Sequence, residues 1–155
     1  MSNVANKKVV KAEWDASKIR AEALKSVVNI YKSLETVLEK DAETADEAAK
    51  AILVNRQYYE ALNIDSPKTL AQAIAEYTTN LLGIKVSTVE NGGKSTIVFE
   101  GGAFVNKVAA LDLSSEVSNK LIRAYKNGLA DLGGYYGFRT ELSSVQPDFI
   151  VSFSK

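Results

Sequence analysis

The side chains that carry most enzyme chemistry are missing from this sequence. Its 155 residues contain no cysteine and no histidine. Ser-His-Asp and Cys-His nucleophilic sites therefore cannot form, and neither can zinc or iron–sulfur sites that use these ligands. The groups that remain for proton transfer or nucleophilic attack are carboxylates, lysines, serines and seven tyrosines.

One carboxylate pair is positioned to meet. Glu141 and Asp148 lie on either side of a predicted turn, so a hairpin would bring them near each other. Such a pair transfers protons usefully when burial shifts a pKa, and a loop position for Asp148 argues against burial. The sequence therefore predicts no catalytic residue, no metal site and no cofactor, and an enzyme that uses only acidic groups or tyrosine is an alternative.

Aromatic side chains and one arginine point to binding. Aromatic residues form the walls of apolar pockets, and a buried arginine would anchor a ligand carboxylate. The predicted lining of such a pocket is Tyr77, Tyr125, Tyr136, Phe138, Phe149 and Arg139. The alternative is a purely structural role, in which the aromatic side chains pack across strands beneath the helices and the arginine lies on a solvated face.

A second candidate surface is the apolar stripe of the first predicted helix. The spacing alternates between three and four residues, which places one face of a helix in register. The stripe consists of Leu24, Val27, Tyr31, Leu34 and Leu38. It packs either on the domain itself or against a second copy in a dimer. Trp14 precedes this helix, and we expect it to pack on the body of the protein.

Charge and composition limit the classes of partner that the protein could bind. Lys+Arg and Asp+Glu both number 19, so the formal net charge is zero. Nothing in that balance supports nonspecific binding to nucleic acid, and it fits a homo-oligomer or a standing protein partner. No apolar run approaches the about 20 residues that span a bilayer, and the start of the chain lacks a signal-peptide core. We expect a cytoplasmic protein.

Four helices are predicted from the apolar pattern and the capping residues. The first covers residues 15–40, and the second covers residues 45–62 behind a capping box that begins at Thr44. The third begins at Pro67 with Ser66 as its cap and ends at Gly83. The fourth begins after Ser114 or Ser115 and ends at Leu132, before Gly133-Gly134.

Strands follow the third and the fourth helix. Residues 84–90 and 95–100 alternate in polarity around the turn Asn91-Gly92-Gly93. Residues 135–142 and 149–153 form a second predicted hairpin, and the connector 103–113 would hold at most a short strand. The predicted fold is α+β, with about four helices on an antiparallel sheet of two hairpins and the helix-hairpin arrangement occurring twice. Residues 1–12 are expected to be a flexible N-terminus and residues 13–155 a single domain.

Two stretches of the chain resemble a known superfamily. One runs from Ile97 to Glu100 and on to Leu111, and the other runs from Arg123 to Gly133 before the last hairpin. They look like the superfamily that holds four-vinyl-reductase domains, small hydrocarbon-binding proteins and the small TRAPP vesicle-tethering subunits. The resemblance covers roughly residues 65–155. It implies that the helix before the last two strands approaches the sheet closely, with Gly128 at the position of the family's glycine.

The resemblance implies a scaffold and leaves the chemistry open. Members of that superfamily often hold an apolar pocket and are often dimeric. Four-vinyl-reductase domains tend to carry cysteines suited to metal, and one type of TRAPP subunit carries an acylated cysteine; this sequence has neither. The resulting expectation is a non-catalytic domain that binds an apolar small molecule or a protein partner as a homodimer. A structural or adaptor subunit of a larger assembly is the alternative.

Overall fold

A computed structural model describes residues 13–37, 47, 50, 54–145 and 147–155, with the side chains of residues 27, 28 and 30–37 left out. The chain has the predicted α+β fold. The helices are α1 (Ala16–Val37), α2 (Arg56–Glu60), α3 (Pro67–Tyr77), α4 (Ala103–Ala109) and α5 (Ser115–Tyr135). The strands are β1 (Val86–Asn91), β2 (Lys94–Phe99), β3 (Arg139–Val145) and β4 (Asp148–Ser154).

The four strands form one antiparallel sheet in the order β1-β2-β4-β3. Each hairpin contributes one central and one edge strand, and the two hairpins join where Ile97 pairs with Val151. A helix precedes each hairpin, because α3 leads into β1 and α5 leads into β3. The predicted repetition of helix and hairpin is therefore confirmed.

The core lies between one face of the sheet and the helices α3 and α5. Side chains from both central strands and both helices belong to one buried cluster. The sequence spacing predicts an apolar stripe on α5, and its members Leu121, Tyr125, Leu129 and Leu132 are buried. Its first member, Val117, is half-buried. Although α1 and α5 are long, none of the helices in the described residues combines the length and apolar character that crossing a bilayer requires.

The third helix starts as predicted and ends with a change of pitch. Ser66 Oγ accepts the backbone N–H of Thr69, and the Thr69 side chain accepts in return from the Ser66 backbone. Residues Thr78–Leu82 form a π-helical turn before Gly83, whose φ of 67° ends the helix. Leu81 was expected to face inward and is 47% exposed. A π turn has more residues per turn than an α turn, so it rotates the following side chains away from the predicted face.

Two predictions were wrong: the structure of the connector between the first hairpin and α5, and the end of α5 itself. The connector 103–113 contains the helix α4 and no strand. Helix α5 continues through Gly133-Gly134 to Tyr135, and the chain turns at Gly137, whose φ is 76°. One glycine costs a helix only about 1 kcal/mol, and tertiary packing of α5 overrides that cost. As a result β3 begins at Arg139 and not at Tyr135.

The second predicted helix is interrupted. Its cap at Thr44 and most of residues 45–53 lie outside the described residues. Val54 has helical backbone, but Asn55 adopts a left-handed φ of 50°, and the short α2 follows. Tyr59 is buried as predicted, whereas Leu62 is 39% exposed because the helix ends before it.

Asp148 links the second hairpin to α4. Its side chain is buried, and its Oδ1 accepts the backbone N–H of Val105 at 3.0 Å. Val105 lies in the first turn of α4, where helix N–H groups have no partner within the helix. Oδ2 of the same carboxylate is buried without a hydrogen-bond partner in the described structure. A single side chain thus caps a helix that is 43 residues away in sequence.

Replacing Asp148 with alanine is expected to destabilise the protein by about 1–3 kcal/mol, because hydrogen bonds to charged groups contribute that much. Asp148→Asn keeps an acceptor for Val105 and should retain most of the stability. Urea unfolding followed by circular dichroism measures both variants. An alanine variant as stable as the wild type would show that the bond contributes nothing.

Candidate functional site

Two of the predicted pocket residues lie in a closely packed aromatic cluster. The rings of Tyr125 and Phe104 stack with centroids 5.0 Å apart. Phe149 lies 5.2 Å from Phe104 and 4.8 Å from Phe99. All four side chains are buried. These rings pack directly against one another, so Tyr125 and Phe149 belong to the core and do not line an open cavity.

Tyr77 lies in a second cluster with two other tyrosines. Its ring centroid is 4.9 Å from that of Tyr58 and 5.8 Å from that of Tyr59. Burial raises the pKa of Tyr77, although a hydrogen bond with Asn55 acts in the opposite direction. Burial also raises the pKa of Tyr59, and the nearby Tyr125 hydroxyl adds to the effect. These hydroxyls stay protonated at neutral pH.

Tyr136 and Phe138 form a third group at the end of α5. Their rings are nearly parallel, with centroids 6.5 Å apart. Tyr135 meets Tyr136 edge-on at 5.0 Å, and the Arg56 guanidinium lies 4.9 Å from the centre of the Tyr135 ring. The Tyr136 hydroxyl is buried without a hydrogen-bond partner in the described structure.

Arg139 lies apart from all three groups. Its side chain is 76% exposed and its Nε is 3.8 Å from Glu141 Oε1. Glu141 also contacts Lys94 across the intervening strand β4, and this lysine lowers the pKa of the glutamate. The structure therefore distributes the six predicted pocket residues over the core, the tyrosine cluster, the end of α5 and the open face of the sheet.

A cleft of about 490 Å³ lies between α5 and the chain segment before α2. Val54 and Leu132 give it apolar lining, but charged side chains stand around it. Lys50 Nζ is 2.6 Å from Glu47 Oε1 and 3.4 Å from Asp131 Oδ2. These charges already pair within the chain, and their number makes the cleft a poor receptor for an apolar molecule.

Most of the side chains that the structure describes in helix α1 are exposed, and a few near its middle are half-buried. None of the side chains described at residues 13–26 and 29 is buried. Leu24 is half-buried, whereas the side chains of Val27, Tyr31 and Leu34, together with all of Leu38, lie outside the described residues. Arg20 lies beside Gly83 at the end of the π turn. The helix touches the body there through few contacts.

The expectation that Trp14 packs on the body was wrong. Its side chain is 61% exposed, and Lys18 Nζ lies 5.2 Å from the ring centroid. Ile19, one turn later, is 53% exposed. Tryptophan is enriched at protein interfaces, so this end of α1 has the character of a contact surface.

The acid–base candidates do not converge. Glu141 pairs in register with Ser152, and Asp148 pairs with Val145, so the two carboxylates lie about 13 Å apart along the hairpin. Within the described residues no group of three or more Asp or Glu side chains is placed to hold a metal. Burial raises the pKa of Tyr125 to about 12, which opposes its use as a base or nucleophile.

Two of these features could not be read from the sequence. The contact between Lys94 and Glu141 depends on β4 lying between β2 and β3, and 47 residues separate the pair. The break at Asn55 carries only the weak signal that asparagine tolerates a left-handed backbone. The paired glycines at residues 92–93, in contrast, predicted a turn from the sequence, and both have positive φ.

No protein-family profile matches this sequence, and no curated protein matches it either. What the protein does therefore has to be inferred from its own residues.

Proposed function

We propose that the protein is a non-catalytic interaction domain that works as a homodimer and docks through α1. The observation that carries the proposal is the absence of a buried side chain among those described in this helix. It runs for 22 residues, yet none of its described side chains is buried. Most helical stability in proteins comes from packing an apolar face. The described part of α1 packs so little on its own domain that a partner covering this helix is favoured.

A second copy of the chain is the occupant that fits best. The stripe from Leu24 to Leu38 is apolar along one face, and two identical stripes complement each other in an isologous contact. The chain has no net charge, so no long-range repulsion opposes the approach. At about 25 cal/mol per Å², an apolar contact of several hundred Å² supplies several kcal/mol before the costs of association.

The alternatives have less support. The aromatic side chains expected to line an apolar pocket pack against each other, and the open cleft beside α5 carries charged side chains. An enzyme that uses tyrosine needs a lowered pKa, whereas burial raises the pKa of Tyr59, Tyr77 and Tyr125. A structural or adaptor role in a larger assembly agrees with the proposal and differs only in the identity of the partner.

Two glutamates placed in the stripe test the proposal. We expect the double variant Leu24→Glu and Leu34→Glu to stay folded and to form a smaller assembly than the wild type, because a charge cannot be buried at an apolar seam without a partner. Circular dichroism measures the fold, and light scattering or native mass spectrometry measures the mass.

The control carries the same two charges on the opposite side of the helix. Ser26→Glu with Asn29→Glu changes two exposed positions and should keep the wild-type mass. Two results would refute the seam. One is a double variant of unchanged mass, and the other is an unfolded double variant beside a folded control, which would place the stripe in the core of the monomer.

A further inference from the structure

The two edges of the sheet differ in how they are protected. The strand order leaves β1 at one edge and β3 at the other, and within the described residues no strand pairs with the outer side of either. An edge strand exposes N–H and C=O groups that another chain can pair with. Natural proteins counter this with charged side chains, especially charges that point toward the helix-covered face.

Strand β1 carries that protection. Glu90 pairs in register with Ser95, whose side chain is buried on the helix-covered face. Its carboxylate therefore points inward, and it accepts the Ser95 hydroxyl at 3.1 Å. Just before the strand, Lys85 pairs with Glu100 at 3.9 Å. An incoming strand at this edge would have to displace or bury these charges.

Strand β3 lacks such protective charges along more than half of its length. Its last four residues are Leu142, Ser143, Ser144 and Val145, which have no charge. All four are exposed, with Leu142 at 40% and Val145 at 49%. Leu142 pairs with the fully buried Val151, so it lies on the helix-covered face of the sheet and is nevertheless 40% exposed.

We infer that β3 pairs antiparallel with β3 of a second copy, about a two-fold axis at Leu142, and extends the sheet to eight strands. In this register Leu142 lies opposite itself, Glu141 opposite Ser143, Thr140 opposite Ser144 and Arg139 opposite Val145. All seven residues of the strand take part. In an edge strand every second residue directs its backbone N–H and C=O away from the sheet. An axis at Leu142 places each outward-directed residue of one copy opposite an outward-directed residue of the other.

The charges on β3 permit this register between two copies and disfavour the neighbouring one. Moving the axis to Glu141 would set two glutamates directly opposite each other, which is destabilising. With the axis at Leu142 the two glutamates are only diagonal neighbours, and Lys94 pairs with each within its own copy. No like charges face each other directly, and the two exposed Leu142 side chains meet.

The size of the contact sets its strength. One strand pair buries less than the about 1,200 Å² at which stable specific interfaces begin, so the contact should depend on concentration. It is independent of the α1 contact. If both exist, the wild type assembles beyond a dimer; if only the β3 contact exists, the wild type is a dimer.

Leu142→Lys tests the axis directly, because it sets two ammonium groups against each other. We expect the dissociation constant of the β3 contact to rise at least tenfold in sedimentation equilibrium, both in the full chain and in the Leu24→Glu, Leu34→Glu background. Val89→Lys is the matched control, since Val89 is 51% exposed on the other edge, and it should change nothing. Ser144→Lys, at an exposed position opposite Thr140, should weaken the contact as well.

Mixing two variants completes the test. Leu142→Lys and Leu142→Glu should each be weakened alone and should form a heterodimer together, since opposite charges then meet at the axis. Native mass spectrometry resolves the mixed species. The inference is overturned if Leu142→Lys and Ser144→Lys keep the wild-type mass, if Val89→Lys has the same effect as they do, or if the mixture forms no heterodimer.

Discussion

Replacing Gly133 with alanine should destabilise the protein by about 3 kcal/mol, at the upper end of the usual cost of overpacking a core. A Cβ at this position would overlap Thr140 Oγ1 and would lie 3.0 and 3.1 Å from two ring carbons of Phe153. Thr140 belongs to β3 and Phe153 to the central strand β4, so their backbones cannot shift away without distorting the sheet. Urea unfolding monitored by circular dichroism measures the change.

The adjacent glycine is the natural control. A Cβ at Gly134 would meet nothing within 4 Å, and alanine is better than glycine in a helix by about 1 kcal/mol. Gly134→Ala should therefore be neutral or stabilising. Adding Thr140→Ala to Gly133→Ala should recover part of the loss, because it removes the overlapping hydroxyl. If Gly133→Ala and Gly134→Ala behave alike, the close approach of α5 to the sheet is wrong.

Gly128→Ala is expected to destabilise by about 1–3 kcal/mol. A Cβ here would overlap Val54 Cγ2 and would lie 3.3 Å from Val54 Cβ. Val54 is 5% exposed, and it lines the same cleft as Lys50. The methyl group would therefore push the segment before α2 away from α5. Thermal and urea unfolding measure the loss.

A compensating change separates the packing effect from others. Val54→Ala removes the methyl groups that the new Cβ meets, so the double variant should be more stable than the sum of the two single changes predicts. A Gly128→Ala variant that is more stable than the wild type would mean that helix propensity outweighs the contact. It would also remove one support for the predicted resemblance to the superfamily with a glycine in this helix.

The resemblance predicted that α5 approaches the sheet closely at Gly128, and this was wrong, because the glycine at that approach is Gly133. Gly128 approaches the side chain of Val54, whereas Gly133 approaches the strands β3 and β4. Sequence patterns singled out Gly128 and treated Gly133 as a helix terminator. A glycine that ends a helix and one that fits a helix onto a sheet look alike in one sequence, because only the neighbour across the gap distinguishes them.

Local signals predicted most of the fold. The stripe of α5, the Ser66 cap, the Gly83 stop and the Gly92-Gly93 turn each depend on a few neighbouring residues, and the structure contains all of them. The errors came where tertiary packing decides. The π turn after Tyr77 rotates Leu81 outward, and packing carries α5 past Gly133.

The candidate site was much harder to predict. Aromatic side chains that fill a core and those that line a pocket have the same composition, so Tyr125 and Phe149 gave no sign of which they do. The partners of Arg139 and Glu141 depend on the strand order, which brings residues 94 and 141 together. The apolar stripe of α1 was visible in the sequence, and its pairing with a second copy stays a prediction.

The position of β4 in the middle of the sheet bears on how the chain folds during synthesis. The first hairpin and α3 are complete by residue 99, but β2 gains its second neighbour only when residues 150–153 pair with it. Domains fold as units as the chain emerges from the ribosome. Here the sheet cannot be completed until β4 has emerged, so β2 has a strand neighbour on one side only until then. Contacts that join such distant parts of a chain form slowly, so we expect the joining of the two hairpins to be a late step of folding.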